Sequence, residues 1–253
     1  MKLIHTLIGT LCMAFCAHAA DIPAPEKSTE DNLKLPDYKK LHQLVEAKDK
    51  PILWLFLGDS ITHGALHTHG WRSYPEHWQE VIKWEPRKPG GYRRTNDIIV
   101  NTAVSGETAS GFLKNIDWRL NQFKPQVVFI DFGTNDAVKI GKIDVFKKDL
   151  TTIVQQIRRM KAIPVLQVSS PNMRNNPRDF EYSNAVREIA AKEKVLLVDH
   201  AAHWKKAMGE NQAIKPWMND NIHPNGLGHR AMVIKLATDL GFMDPSSPTL
   251  KMP

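Results

Sequence analysis

Residues 52–61 read ILWLFLGDSI, an apolar run that ends abruptly at a glycine, an aspartate and a serine. A short apolar run without polar alternation is typical of a strand that is covered on both faces, as in a parallel sheet. Similar runs rich in Val and Ile follow at Ile98–Val104, Val127–Phe132, Ile163–Val168 and Val195–Val198. The sequence therefore predicts a sheet of five parallel strands.

Apolar residues with helical spacing separate these runs. They predict helices over about 38–47, 75–84, 145–157, 182–191 and 227–240, and a further helical stripe at Phe112, Ile116 and Leu120. Strands that alternate with helices indicate an α/β protein in which helices cover both faces of the sheet. We expect a three-layer sandwich formed by one domain from 36 to 243, preceded by a linker at 20–35 and followed by a tail at 244–253.

The composition fits a globular protein and excludes several other classes. The 253 residues are 42% hydrophobic and 24% charged, values that argue against disordered, collagen-like and coiled-coil proteins. The formal charge of +7 is modest and spread along the chain, so we expect no nucleic-acid partner. After the N-terminus no apolar run approaches the roughly 20 residues that span a bilayer. The sequence gives no indication of an oligomeric state.

The first 19 residues have the pattern of a secretory signal peptide. Lys2 precedes the largely apolar segment Leu3–Phe15, and Ala17-His18-Ala19 has the small-x-small pattern of a cleavage site. A retained N-terminal membrane anchor is the alternative. Both cysteines of the chain, Cys12 and Cys16, lie in this segment, so a cleaved protein would have no thiol and no disulfide. We therefore expect a secreted or periplasmic protein.

Polar residues that could carry chemistry follow the predicted strands. In such sheets ligands bind beyond the carboxyl ends of the strands. Ser60 follows the first strand, Gly106 the second and Asn135 the third, and Asp220-x-x-His223 lies near the C-terminus. Each has a simpler explanation when taken alone: Ser60 as a helix cap, Gly106 and Asn135 as turn residues, and the Asp–His pair as a metal site or a surface contact.

Taken together, these four blocks resemble the SGNH (GDSL-type) serine hydrolases. Gly58-Asp59-Ser60, Gly106, Gly133-x-Asn135-Asp136 and Asp220-x-x-His223 occur in the order of the family's blocks, with Ile61 where its short name has Leu. The resemblance implies a flavodoxin-like sandwich with Ser60 as nucleophile, His223 as base and Asp220 as its carboxylate partner. It also implies an oxyanion hole formed by the Ser60 and Gly106 N–H groups and the Asn135 side chain.

Other conspicuous residues have weaker support. His63, His67 and His69 have spacing that could suit a metal, but no acid or cysteine completes the set, so a polar loop is favoured. We expect no metal and no cofactor. Trp71 is a candidate substrate-binding residue near the pocket. Trp217 could line the acyl pocket or pack beneath it.

These features predict a secreted serine esterase that hydrolyses short-chain carboxylic esters through an acyl-enzyme on Ser60. O-acetyl groups on carbohydrate are the expected substrate, so the expected partner is a small-molecule or glycan ester. An arylesterase, thioesterase or lysophospholipase of the same family is the alternative. A non-catalytic glycan-binding domain on the same fold is a third hypothesis, which the intact set of catalytic residues disfavours.

Overall fold

Five strands form a single all-parallel sheet in the computed structural model, which describes residues 30–47, 50–84, 94–209 and 211–243. The strands are β1 (Leu53–Gly58), β2 (Ile98–Asn101), β3 (Val127–Asp131), β4 (Ile163–Val168) and β5 (Leu196–Asp199). Their order across the sheet is β2-β1-β3-β4-β5, the flavodoxin-like order. The predicted fold class is confirmed. The predicted signal peptide and C-terminal tail lie outside the described residues.

Helices connect the strands and cover both faces of the sheet. They are α1 (Glu30–Lys34), α2 (Pro36–Glu46), α3 (Ser60–His63), α4 (Tyr74–Trp84), α5 (Ala109–Leu113), α6 (Ile116–Arg119), α7 (Asp136–Lys139), α8 (Ile143–Arg159), α9 (Pro177–Glu193), α10 (His200–Met208) and α11 (Gly226–Asp239). Two 3₁₀ helices are present at Asn121–Phe123 and Asn211–Trp217. Among the described residues, no helix has the length and apolar character needed to cross a membrane.

Two hydrophobic cores lie on opposite faces of the sheet. One contains buried side chains of α2, α4, α10 and α11, among them Trp78 and Trp204. The other contains buried side chains of α5, α8 and α9, among them Phe112 and Ile153. Successive residues of β1 alternate between them, since Trp54 and Phe56 belong to the first core and Leu55 and Leu57 to the second. This alternation explains why the strands are apolar throughout.

The second predicted strand is shorter than expected. β2 ends at Asn101, whose side chain accepts a hydrogen bond from the Ala103 N–H at 3.0 Å. The Thr102 and Val104 N–H groups still donate to backbone carbonyls of β1, at 3.0 and 3.1 Å. β2 is also an edge strand, and Ile98 is 51% exposed, so it is not covered on both faces as predicted.

Part of the predicted linker is structured. α1 lies within residues 20–35, and the Asn32 side chain is buried against β5. Its Nδ2 donates to the Leu197 carbonyl at 2.8 Å, and its Oδ1 accepts from the Leu197 N–H at 3.0 Å. Because β5 is the outer strand, this amide satisfies backbone groups that an edge would leave open. The segment expected as a linker thus contains a helix, α1, that is joined to β5.

Candidate active site

Ser60 is the first residue of α3, directly after β1. The Asp59 side chain caps this helix, since its Oδ1 accepts from the Ile61 N–H at 2.9 Å. Gly58 allows the tight turn: a Cβ there would lie 2.4 Å from the Thr62 hydroxyl oxygen and 2.8 Å from the Asp131 carbonyl oxygen. The turn places the Ser60 hydroxyl at the carboxyl edge of the sheet, next to the open N-terminus of the short helix.

His223 and Asp220 meet Ser60 at this edge. His223 Nε2 lies 2.9 Å from Ser60 Oγ, and His223 Nδ1 lies 2.8 Å from Asp220 Oδ2 and 3.1 Å from Oδ1. A carboxylate only accepts hydrogen bonds, so the tautomer that carries its proton on Nδ1 fits both contacts. Nε2 is then free to accept the Ser60 proton. This chain of contacts can activate a serine as a nucleophile.

Asp220 is held in its charged form by its own loop. Burial opposes ionisation, but Oδ1 accepts from the His223 and Ile222 N–H groups at 2.8 and 2.7 Å, which together with the His223 ring holds the pKa of Asp220 below its usual value. The carboxylate is therefore charged and oriented before any substrate binds. Its position follows from the local sequence, because Pro224 keeps His223 extended and Asn225 caps α11 through the Gly228 N–H.

The three expected oxyanion donors lie in the turns around Ser60. Gly106 has a φ of +79°, in the left-handed region that favours glycine, and Lys139 Nζ donates to its carbonyl. Asn135 precedes α7, and its Nδ2 donates to Asp59 Oδ2 at 2.9 Å. This contact uses one of the two hydrogens of the Asn135 amide.

Asp59 therefore links the nucleophile turn to Asn135, a contact that the sequence did not reveal. Burial raises the pKa of Asp59, and the Ile61 N–H opposes this shift. The carboxyl of Asp131 at the end of β3 is fully buried nearby, and its pKa is also raised by burial and by Asp59. Burial therefore raises the pKa values of both carboxyls, and the hydrogen bonds that Asp59 accepts from Ile61 and Asn135 oppose its shift.

Asp136 follows the turn after β3, and both of its carboxylate oxygens accept hydrogen bonds from the backbone. Its Oδ1 accepts from the Ala109 N–H at 2.9 Å and its Oδ2 from the Gly133 N–H at 3.1 Å. Burial raises its pKa to about 6. Both oxygens are therefore engaged in joining the start of α5 to the turn after β3.

The three histidines of the α3–α4 region separate in the structure. His63 Nδ1 lies 3.1 Å from the Ser105 hydroxyl, and His69 is exposed. His67 packs on His223, with ring centroids 3.4 Å apart and ring planes at 4°. Its Nδ1 lies 3.8 Å from Asp220 Oδ2. Sequence reasoning did not place His67 at the site.

His67, Asp220 and His223 each offer a possible metal ligand, and these atoms lie within 4.8 Å of one another. An imidazole nitrogen binds a metal with a lone pair in the ring plane. Because the two ring planes are nearly parallel, their lone pairs run side by side and do not converge on one point. The geometry of the two histidines is therefore that of stacked rings and not that of a pair of metal ligands.

The two candidate substrate-binding tryptophans have different positions. Trp71 is 61% exposed and lies over Gly226, the first residue of α11, three residues beyond His223. Trp217 is 2% exposed and packs edge-on against Trp204, with centroids 4.9 Å apart. The structure therefore places Trp217 in the core beneath the site, where substrate cannot reach it.

A cavity of about 580 Å³ lies at the carboxyl ends of β3 and β4, and neither Ser60 nor His223 is among the residues that line it. Its walls include Gly133 and Thr134, which directly precede Asn135 in the chain. Apolar side chains that line it include Phe132, Tyr182, Val186 and Ala201. The cavity is large enough for a group much bigger than acetyl.

Comparison with known proteins gives relatives of this chain and neighbours of its fold. Thioesterase 1/protease 1/lysophospholipase L1 of Escherichia coli (strain K12) is 26% identical over 176 residues, which are 68% of this chain and 74% of that protein. An uncharacterized protein of Mycoplasma pneumoniae is 31% identical over 106 residues, and the chain matches only 11% of that protein's length. The crystal structure of Axe2, an acetylxylan esterase from Geobacillus stearothermophilus, superposes with a TM-score of 0.60 at 18% identity, covering 78% of this chain and 97% of Axe2.

A match to a protein-family model shows the family of this chain. The model of the GDSL-like lipase/acylhydrolase family matches residues 56–231, more than two thirds of the chain. The match begins within β1 and ends within α11, and thus includes Ser60, Gly106, Asn135, Asp220 and His223. On this match and on the shared fold, the chain belongs to the GDSL-like lipase/acylhydrolase family, whose members are ester hydrolases.

Proposed function

We propose that the protein is a serine esterase that forms an acyl-enzyme on Ser60. The continuous line of contacts from Ser60 Oγ through the His223 ring to Asp220 is the observation that carries this proposal. Ser60 Oγ attacks the ester carbonyl while its proton passes to His223 Nε2, and the C–O bond to the alcohol then breaks as His223 returns that proton to the leaving oxygen. A water molecule repeats the sequence on the acyl-enzyme and releases the acid.

The charge on the tetrahedral intermediate falls on the former carbonyl oxygen. The Ser60 N–H, the Gly106 N–H and the second hydrogen of Asn135 Nδ2 are the donors that we assign to it. Preorganised donors of this kind are usually the largest single contribution to catalysis of acyl transfer. Asp59 would act indirectly, because its contact with Asn135 sets the direction of the amide.

Asn135→Ala is expected to lower kcat by about 10²–10³, the usual effect of losing one oxyanion donor. KM should change little, because the hydrogen bond forms chiefly in the transition state. Steady-state kinetics on a short-chain ester measures both values. Asn172→Ala is a matched control, since the Asn172 Nδ2 donates to Asp179 at 2.8 Å. A rise in KM at unchanged kcat would instead make Asn135 a substrate-binding residue.

We propose O-acetyl groups on carbohydrate as the substrate class. The exposed face of Trp71 beside the His223 loop offers a surface on which a sugar ring could stack. Axe2, whose fold this chain shares, is an acetylxylan esterase. At 18% identity that likeness shows the fold alone, so Trp71 supports the proposal more directly.

A second candidate, hydrolysis of longer acyl esters or thioesters, is favoured by the cavity. Its volume of about 580 Å³ and its apolar walls suit a hydrocarbon chain, and the Escherichia coli relative is a thioesterase and lysophospholipase. An ester series from acetyl to palmitoyl, with acetylated sugars and acyl thioesters included, separates the two candidates. We expect the highest kcat/KM on acetyl esters. A maximum at eight or more carbons would make the cavity the acyl site and reject the acetyl assignment.

The remaining alternatives have separate tests. A glycan-binding domain without activity would not react with a fluorophosphonate probe, whereas an esterase would be labelled at Ser60. We also propose export of the protein, on the basis of the signal-like residues 1–19. A mature N-terminus at Ala20 in protein recovered outside the cytoplasm would support export, and an intact Met1 in the cytoplasm would reject it.

A further inference from the structure

His67 contacts the face of the ring that we assign as the general base. Its centroid lies 3.4 Å from that of His223, the ring planes differ by 4°, and its Nδ1 lies 3.8 Å from Asp220 Oδ2. His223 is therefore held on three sides: by Ser60 at Nε2, by Asp220 at Nδ1 and by His67 on one face. The contacts with Ser60 and Asp220 fix two edges of the His223 ring but leave the ring free to tilt. The stacked His67 ring restricts that tilt.

The backbone around His67 is constrained to present this ring. Leu66 and His69 have φ values of +66° and +51°, in a left-handed region that non-glycine residues rarely adopt. The His67 N–H donates to the Ala65 carbonyl at 2.8 Å, which tightens the turn. Leu66 is 87% exposed, so packing of its side chain does not explain the conformation. Strained residues of this kind cluster at functional sites.

The proposed reaction gives a physical reason for His67 to stack on His223. His223 gains a positive charge each time it takes the Ser60 proton, and a neutral aromatic face at van der Waals distance attracts a cation. Burial and the neighbouring His223 lower the pKa of His67, whereas Asp220 raises it, and the net effect favours the neutral form of the His67 ring. The titratable groups that act on His67 are Asp220, His63, His69, His223 and His229.

We propose that His67 is a positioning residue that holds the His223 ring in line between Ser60 and Asp220 and stabilises its protonated form by stacking. The inference rests on the proposed function, since it needs His223 as the base. It assigns no proton transfer to His67. A flat ring at this position is therefore sufficient, and an ionisable one is not required.

The test compares His67→Ala and His67→Phe with wild type. The readouts are the rate constant for fluorophosphonate labelling of Ser60 and the values of kcat and KM on one short-chain ester. His67→Ala should reduce the labelling rate and kcat about 10-fold with little change in KM, as expected for loss of a stacked cation contact. His67→Phe should recover most of the loss, and kcat/KM should still fall at acid pH as in wild type. His77→Ala, a half-buried histidine of α4 that is not among the groups acting on His67, is the control and should behave as wild type.

Each result decides the inference. Labelling of His67→Ala at the wild-type rate would overturn it, and so would a His67→Phe variant as slow as His67→Ala. Loss of the acid fall in His67→Phe would make His67 the titrating base and would also overturn it. Thermal unfolding identifies any variant that is not folded, and His67→Phe carries the test if His67→Ala fails to fold. Absence of labelling in wild type would instead reject the proposed function, which keeps the two failures distinct.

Discussion

Ser60→Ala is expected to lower kcat by about 10⁶, the loss measured when a serine hydrolase loses its nucleophile. In the proposed mechanism the Ser60 oxygen bonds to the acyl group, and no other hydroxyl in the described part of the chain contacts His223 Nε2. The structural cost should be small, because the substitution removes one hydrogen bond at the sheet edge, about 0.5–1.5 kcal/mol. Kinetics on an activated acetyl ester and thermal unfolding measure the two effects.

Ser105→Ala is the matched control for this substitution. Ser105 is exposed on the neighbouring turn, and its hydroxyl contacts His63 at 3.1 Å, not His223. We expect this variant to keep nearly all of the activity. A Ser60→Ala protein that retained a tenth of wild-type turnover while folded would show that the nucleophile is a different group.

Asp220→Asn is expected to lower kcat by about 10⁴, as the analogous change does in a serine protease. An asparagine amide can donate to Nδ1 and so favour the tautomer whose proton lies on Nε2, where it cannot accept from Ser60. The change also removes the charge that stabilises protonated His223. The backbone N–H groups of Ile222 and His223 can still donate to the remaining oxygen, so the loop should keep its shape.

Asp136→Asn, measured beside it on the same ester, discriminates between the two acids considered as the partner of His223. Asp136 accepts from the Ala109 and Gly133 N–H groups, and an asparagine can keep only one of these contacts. We therefore expect reduced stability with much smaller loss of kcat. Severe loss of kcat in the Asp136 variant with near-normal turnover in the Asp220 variant would reject Asp220 as the partner of His223.

The sheet could be predicted from the sequence because a strand that is buried on both faces is a continuous apolar run. Each of the five apolar runs overlaps one of the observed strands, and the family blocks lie at the ends of β1 and β3 as expected. The helical stripe at Phe112, Ile116 and Leu120 faces the core, but it is divided between α5 and α6 because the chain leaves the helix at Lys114 and Asn115. The spacing of apolar residues indicates which side of the chain is buried, but it does not reveal a break of two residues between two helices.

The sequence could not predict contacts that depend on the path of a loop. His67 and Asp220 are far apart in the chain, and they meet because the turn with left-handed Leu66 brings one loop over the other. The bond between Asp59 and Asn135 likewise joins turns after β1 and β3, strands that are neighbours only once the order of the sheet is known. The sequence leaves the position of Trp217 open, because a tryptophan beside the His223 loop can point into a pocket or into the core.

The Ser60–His223 contact joins positions 163 residues apart, close to the two ends of the described fold. Contacts of such large sequence separation form late in folding, because the loop between them must be closed before they contribute. During synthesis Ser60 leaves the ribosome long before His223, so the proposed nucleophile stays inactive until α11 packs beside α4. Recovery of ester hydrolysis after denaturation therefore reports completion of the whole fold, and it should not precede the return of the tryptophan environment in the core formed by α4, α10 and α11.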